Sequence, residues 1–194
     1  MIKEEQNELY PIFLKVHQLN VLIIGGGNVA LEKLGFLLKS SPNARVTLLA
    51  KEFDPELLTL ANKHNVNIQQ GAYHYFSLQN QHLVIGATND HEVNKTIQKE
   101  AKVRNILVNI ADTPELCDFY LGGIVTKGNV KIAISTNGKS PTMAKRLRQL
   151  FEEVIPDDIN SLAENLNTYR QMLKLSFKEK VTHLNQLTKS LITE

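Results

Sequence analysis

The sequence predicts an α/β fold: a doubly wound parallel sheet, then a β-hairpin region, then a helical C-terminal segment. Three observations lead there. Val21-Leu22-Ile23-Ile24 is an unbroken apolar run, as in a strand buried on both faces, and Gly25-Gly26-Gly27 and a helical stretch from Val29 follow at once. Strand-like and helix-like runs then alternate as far as Asp112, the pattern of right-handed crossovers in a parallel sheet. Beyond Asp112 the alternation stops, and two adjacent strand-like runs precede chain with a helical pattern.

Residues 44–50 read as the second strand, 57–64 as a short helix and 66–69 as an exposed third strand. Residues 82–88 give a fourth strand, buried at its middle. A helix follows at 90–104, with Val93, Ile97 and Ala101 on one face, and then a fifth strand at 105–110. Residues 119–126 and 129–135 are strand-like, and the Lys127-Gly128 step between them suits an antiparallel hairpin turn. Ser140-Pro141 opens the next helix with a hydroxyl cap and a proline at its first position. Met143, Leu147, Leu150, Phe151 and Val154 supply its apolar face, and Pro156 ends it. From Asp157 onward the pattern is helical, led by Ile159, Leu162, Leu166, Tyr169 and Leu173. The expected division is 1–112 for a nucleotide-binding domain, 113–155 for the hairpin region and 156–194 for a helical domain.

A chain of 194 residues, 42% of them hydrophobic, has ample material for one core and a smaller appendage. Its net charge of +2 argues against a general nucleic-acid binder. The single cysteine, Cys117, excludes an internal disulfide and fits a reducing cytoplasm. No apolar run is long enough for a bilayer, and residues 1–8 lack the basic-then-apolar order of a signal peptide. The expectation is a soluble cytoplasmic protein with neither membrane nor nucleic acid as partner. His17, His64, His74, His82, His91 and His183 are scattered without ligand spacing, so no metal site is expected.

Strand, glycine turn and helix, in that order, are what a dinucleotide pyrophosphate needs. Gly25 permits the tight turn and Gly27 lets the backbone approach the phosphates. Ala30, in the slot often held by a third glycine, keeps helix and strand close. The unpaired N–H groups of Asn28, Val29 and Ala30, at the positive end of the helix, face the anion. An acid after the second strand commonly holds the adenosine ribose. Here the candidates are Glu52 and, for a 2′-phosphate, Lys51; an ordinary solvent lysine is the plainer account of the latter.

The chain resembles the precorrin-2 dehydrogenase/sirohydrochlorin ferrochelatase family, the NAD-dependent part of siroheme synthases. The residues that carry the likeness are Tyr10-Pro11-Ile12-Phe13-Leu14, Gly25-Gly26-Gly27-Asn28-Val29-Ala30 with Lys33, and Ala87-Thr88-Asn89-Asp90 with Val93-Asn94. Asn109-Ile110-Ala111-Asp112, Glu115-Leu116-Cys117-Asp118-Phe119 and Ile134-Ser135-Thr136-Asn137-Gly138-Lys139-Ser140-Pro141 complete it. The likeness covers residues 9–155 in register and loosens over the C-terminal helices. Glu32 stands where such proteins often have arginine, Asp118 where asparagine is frequent, and Leu121-Gly122-Gly123 where a proline is commoner.

The resemblance implies a Rossmann domain that binds NAD, with Thr88 among the cofactor residues, and a hairpin region serving dimerisation and the substrate cleft. It implies oxidation of precorrin-2 to sirohydrochlorin by hydride transfer, followed in many members by insertion of ferrous iron; the iron step is left open for this chain. It places the family's essential aspartate on Asp112. From the residues alone Asp112 reads equally as a base or as the cap of the Asp112-Thr113-Pro114 turn, and the resemblance selects the base.

A polycarboxylate substrate calls for cations and donors, for which Lys139, Ser135 and Thr136 are the candidates, and Lys145, Arg146 and Arg148 lesser ones. Cys117 reads as a small buried thiol rather than an iron ligand. A homodimer is expected, since a lone hairpin is marginal unless covered. The competing function is a non-catalytic NAD(H)-sensing module, to which loss of the Asp112 carboxylate would make no difference.

Overall fold

The computed structural model describes residues 7–189. The sequence reading of residues 1–6, and of the last five positions of the helical segment, lies outside them. The chain packs as two units: residues up to 122 together with 137–139, and residues 123–136 together with those from 140 onward.

The first unit is a five-stranded parallel sheet in the order β3-β2-β1-β4-β5, with β1 at Asn20–Ile24, β2 at Arg45–Ala50, β3 at Asn67–Gln70, β4 at Leu83–Gly86 and β5 at Leu107–Ile110. This is the Rossmann-like sheet the alternation predicted. β1 shows why. Its side chains alternate between faces, and both faces are covered. Val21 and Ile23 join Ala30, Leu34 and Leu38 of α1 (Asn28–Ser40) and Leu57 and Ala61 of α2 (Pro55–Lys63). Leu22 and Ile24 join Ile97 and Ala101 of α3 (His91–Val103). The four strand residues are at most 2% exposed, which is what an unpunctuated apolar run signals in a parallel sheet. The strand order reverses between β1 and β4, and ligands of such sheets bind beyond the strand ends at that point.

β5 is an edge strand, and the segment after Asp112 covers that edge without forming a strand. Asp118 N–H donates to the Val108 carbonyl at 2.7 Å, and Val108 N–H donates back to the Asp118 carboxylate at 3.1 Å. Lys102 pairs with the same carboxylate. Asn109 Nδ2 donates to the Phe119 carbonyl at 2.8 Å, while the Phe119 ring packs on the first core. Asp118 and Phe119 are therefore held along β5, and the strand expected from 119 begins only at Gly123.

In the second unit β6 (Gly123–Lys127) and β7 (Val130–Ile134) form the expected antiparallel hairpin. Lys127 pairs with Val130, so the turn residues are Gly128-Asn129, one place later than expected. Gly128 takes φ +59°, as primed hairpin turns require. α4 (Pro141–Val154) starts as read: Ser140 Oγ accepts from Met143 N–H at 3.1 Å. Its apolar face is largely uncovered, however, with Met143, Leu150 and Val154 each at least 50% exposed. The helical stretch after Pro156 is two helices, α5 (Ile159–Met172) and α6 (Phe177–Leu187). Ser176 and Glu179 cap each other's backbone at the start of α6, a Ser-x-x-Glu box that fixes the break.

Candidate functional site

The three consecutive glycines are glycine for different reasons. Gly25 has φ +138°, and a Cβ on it would stand 2.2 Å from the Ala87 carbonyl oxygen. On Gly26 a Cβ would stand 1.8 Å from the Glu52 carbonyl oxygen. Gly27 has no such neighbour: nothing lies within 4 Å of where its Cβ would be. Two of the glycines therefore let the turn nest between β2 and β4, and the third leaves open space above the start of α1. The local pattern gives Gly26 no role of its own, because its reason lies 26 residues further along the chain at Glu52.

α1 begins at that open space without a side-chain cap or an acidic residue in its first turn. α2 and α3, which pack on the same sheet, are capped by Asp54 and Asp90 and carry Glu56 and Glu92 there. Of these three helices, α1 alone offers its first N–H groups, from Asn28 to Ala30, with no competing carboxylate. The residues present thus fit a dinucleotide pyrophosphate. Ala30 is fully buried, as close helix–strand packing requires.

Lys51 and Glu52 follow β2 directly and are exposed. Gln70 Nε2 donates to the Lys51 carbonyl at 3.1 Å, and Asp54 N–H donates to the Gly26 carbonyl at 2.7 Å. The loop that would meet the adenosine ribose is thereby held from both sides.

Thr88 lies two residues beyond β4. Its hydroxyl donates to Asn94 Oδ1 at 2.8 Å, with the Asp90 carbonyl at 3.0 Å as the alternative acceptor, and accepts from Asp90 N–H at 3.2 Å. Asp112 lies two residues beyond β5. Strand pairing aligns Ile24, Gly86 and Ile110, so Gly26, Thr88 and Asp112 each lie two residues past one row of strand ends. With β4 between them, the ends of β1 and β5 are about 10 Å apart.

Asp112 is exposed and holds φ +57°, the left-handed conformation that aspartate tolerates better than most residues. Among the described residues its carboxylate has no hydrogen-bond or ion-pair partner. The turn is closed instead by Thr113 N–H on the Ile110 carbonyl at 3.3 Å. The turn-cap account of this side chain therefore does not hold. Cys117 Sγ accepts from Ile110 N–H at 3.2 Å, and burial pushes its thiol up from the usual range. The thiol is half-buried, less than expected, and helps hold the edge cover against β5.

In the second unit, Ser135 is exposed past the end of β7, and Thr136 Oγ1 accepts from Ser140 N–H at 3.2 Å. Lys139 is exposed in the turn formed by residues 137–139. Arg146 and Arg148 are engaged along α4 by Gln149 at 3.0 Å and Glu152 at 2.5 Å, which is the ordinary helix-surface use of such residues. No group of three or more histidine, cysteine or acidic residues suited to a metal occurs among the described residues. No helix among them is long and apolar enough to cross a membrane.

Residues 12–123 match the family described as "Putative NAD(P)-binding", and residues 127–153 match "Sirohaem biosynthesis protein central". The siroheme synthase of Pseudoalteromonas translucida is 39% identical over 171 residues, 87% of this chain and 35% of that protein. That of Methylococcus capsulatus is 35% identical over 169 residues, again 87% of this chain and 35% of the relative. The chain thus spans about a third of the length of the curated relatives it matches. Among solved structures, "SirC, precorrin-2 dehydrogenase" shares the fold, with a TM-score of 0.70 and 23% identity over 92% of this chain and 89% of the other.

Proposed function

Because the chain belongs to the NAD(P)-binding family of sirohaem biosynthesis proteins, we propose that it oxidises precorrin-2 to sirohydrochlorin with NAD. One observation carries the reading: the Asp112 carboxylate, unpartnered among the described residues, stands past the same row of strand ends as the open glycine turn.

NAD, when bound, supplies the hydride acceptor. The chain's own residues do the rest. Gly25 and Gly27 shape the phosphate turn, Asn28, Val29 and Ala30 offer their N–H groups, Lys51 and Glu52 meet the adenosine end, and Thr88 lies on the nicotinamide side. Asp112 takes the proton released as the hydride leaves the macrocycle. Ser135, Thr136 and Lys139 meet the substrate carboxylates. The same carboxylate is suited to accept a pyrrolic proton when ferrous iron, as a second substrate, enters sirohydrochlorin. Residues 1–112 serve the cofactor, 113–155 dimerisation and substrate, and 156–194 form the helical domain.

A homodimer is supported by the exposed apolar face of α4 and by a hairpin that, among the described residues, has no third strand. The lone cysteine supports a cytoplasmic setting.

The test is an anaerobic assay of wild type and Asp112→Asn with precorrin-2 and NAD, followed by ferrous iron. Sirohydrochlorin and NADH formed by the wild type alone support the reading, and iron-dependent siroheme extends it. NAD binding with no turnover in either protein would turn it to the sensing module.

A further inference from the structure

Asn94 is one of two polar residues buried among the described residues; it is 6% exposed, on the sheet-facing stripe of α3. Its neighbours on that stripe, Ile97 and Ala101, are apolar, so packing alone gives no reason for an amide there. A buried amide must have both ends bonded, or its desolvation goes uncompensated. Asn94 spends both ends on a single residue. Its Nδ2 donates to the Thr88 carbonyl at 2.9 Å, and its Oδ1 accepts from the Thr88 hydroxyl at 2.8 Å.

The loop so clamped rests on the glycine turn. The Ala87 carbonyl oxygen, one residue before Thr88, would be 2.2 Å from a Cβ on Gly25. The loop is also the middle member of the row, with the glycine turn on one side and Asp112 on the other. The adenosine end of a dinucleotide lies towards β2, so what crosses the β4 side of the switch point is the nicotinamide end.

We propose that Asn94 is a positioning residue for the nicotinamide end of the cofactor: it fixes the height of the Thr88 loop against which the ring is set. It touches neither cofactor nor substrate and acts through Thr88. The inference rests on the dinucleotide reading above. It makes a narrower claim, that holding this loop matters for the ring and not for the rest of the cofactor.

The experiment measures, by calorimetry, the Kd of NAD and of ADP-ribose, which lacks the nicotinamide, for wild type, Asn94→Asp and Thr88→Val. Asn94→Asp keeps the size of the side chain and removes its donor. Thr88→Val keeps the shape of its side chain and removes the hydroxyl, and it serves should the buried carboxylate of the first variant prevent folding. The expected result is NAD binding weakened about tenfold in both variants, with ADP-ribose changed less than about twofold. A drop in kcat of about tenfold accompanies it, because a ring set at the wrong height reacts poorly. Equal weakening of both ligands makes Asn94 a general packing residue and overturns the inference, as does no change in either. A wild type that binds neither ligand overturns the dinucleotide reading as well, so the two failures are distinguishable.

Discussion

Gly26 and Glu52 meet so closely that the Glu52 carbonyl oxygen fills the place of any side chain on Gly26, while Gly27 beside it faces nothing within 4 Å. The two substitutions should therefore separate. Gly26→Ala forces the β2 loop away from the turn and should lower stability by about 3 kcal/mol. Gly27→Ala should unfold at the wild-type temperature yet weaken NAD binding at least about tenfold, because the new methyl stands where the phosphates approach. Thermal melts with and without NAD read both effects.

Asp112 keeps a left-handed backbone for a side chain that bonds to nothing among the described residues. Asp112→Gly should relieve that conformation and stabilise the fold by about 1 kcal/mol. The same variant should lose about a hundredfold or more in kcat, since the proton acceptor is gone. A gain in melting temperature together with intact turnover would remove Asp112 from the chemistry.

The exposed face of α4 makes a prediction about assembly. Leu150→Asp combined with Val154→Asp should convert a dimer into a monomer on light scattering, leaving NAD affinity unchanged because both residues lie outside the first unit. A wild type that already scatters as a monomer at micromolar concentration contradicts it.

Lys127 pairs with Asp157, and the hydrogen bond from Lys127 holds the Asp157 carboxyl below its ordinary value of 3.8. A lowered carboxylate pKa stabilises the folded state above the unfolded value, and that contribution is lost as pH falls through the folded one. The contact should therefore persist below the ordinary carboxyl value and open only as pH falls through the lowered folded one. An NMR titration of the Asp157 carboxyl carbon should give a midpoint below 3.8, returning to the ordinary value in Lys127→Met.

The parallel sheet was legible because both of its signals are local. Four apolar residues before a glycine turn state a buried strand, and helices such as α1 and α3 announce themselves by their stripes. The start of α4 was legible for the same reason, since Ser140 and Pro141 lie within one turn of what they cap. The break between α5 and α6 was equally local, written in Ser176 and Glu179, and was passed over. What the sequence hid is what depends on distant partners. Gly26 is explained by Glu52 and Asn94 by Thr88. Asp118 is explained by Lys102 and Val108, which turn a departure from the family pattern into an edge cover. The uncovered face of α4 is the other kind of silence. Periodicity says that a face is apolar but not what lies on it.

The assignment of residues 137–139 to the first unit has a consequence for anyone dividing this chain. The backbone changes unit after 122, again after 136 and again after 139, so no single peptide bond separates the two. A fragment ending at 122 leaves a piece of the first unit behind on the other fragment, and either half, expressed alone, starts with a gap or a leftover. The chain should be inherited, transplanted and engineered whole across this stretch, and not cut at the junction that the change of pattern near Asp112 suggests.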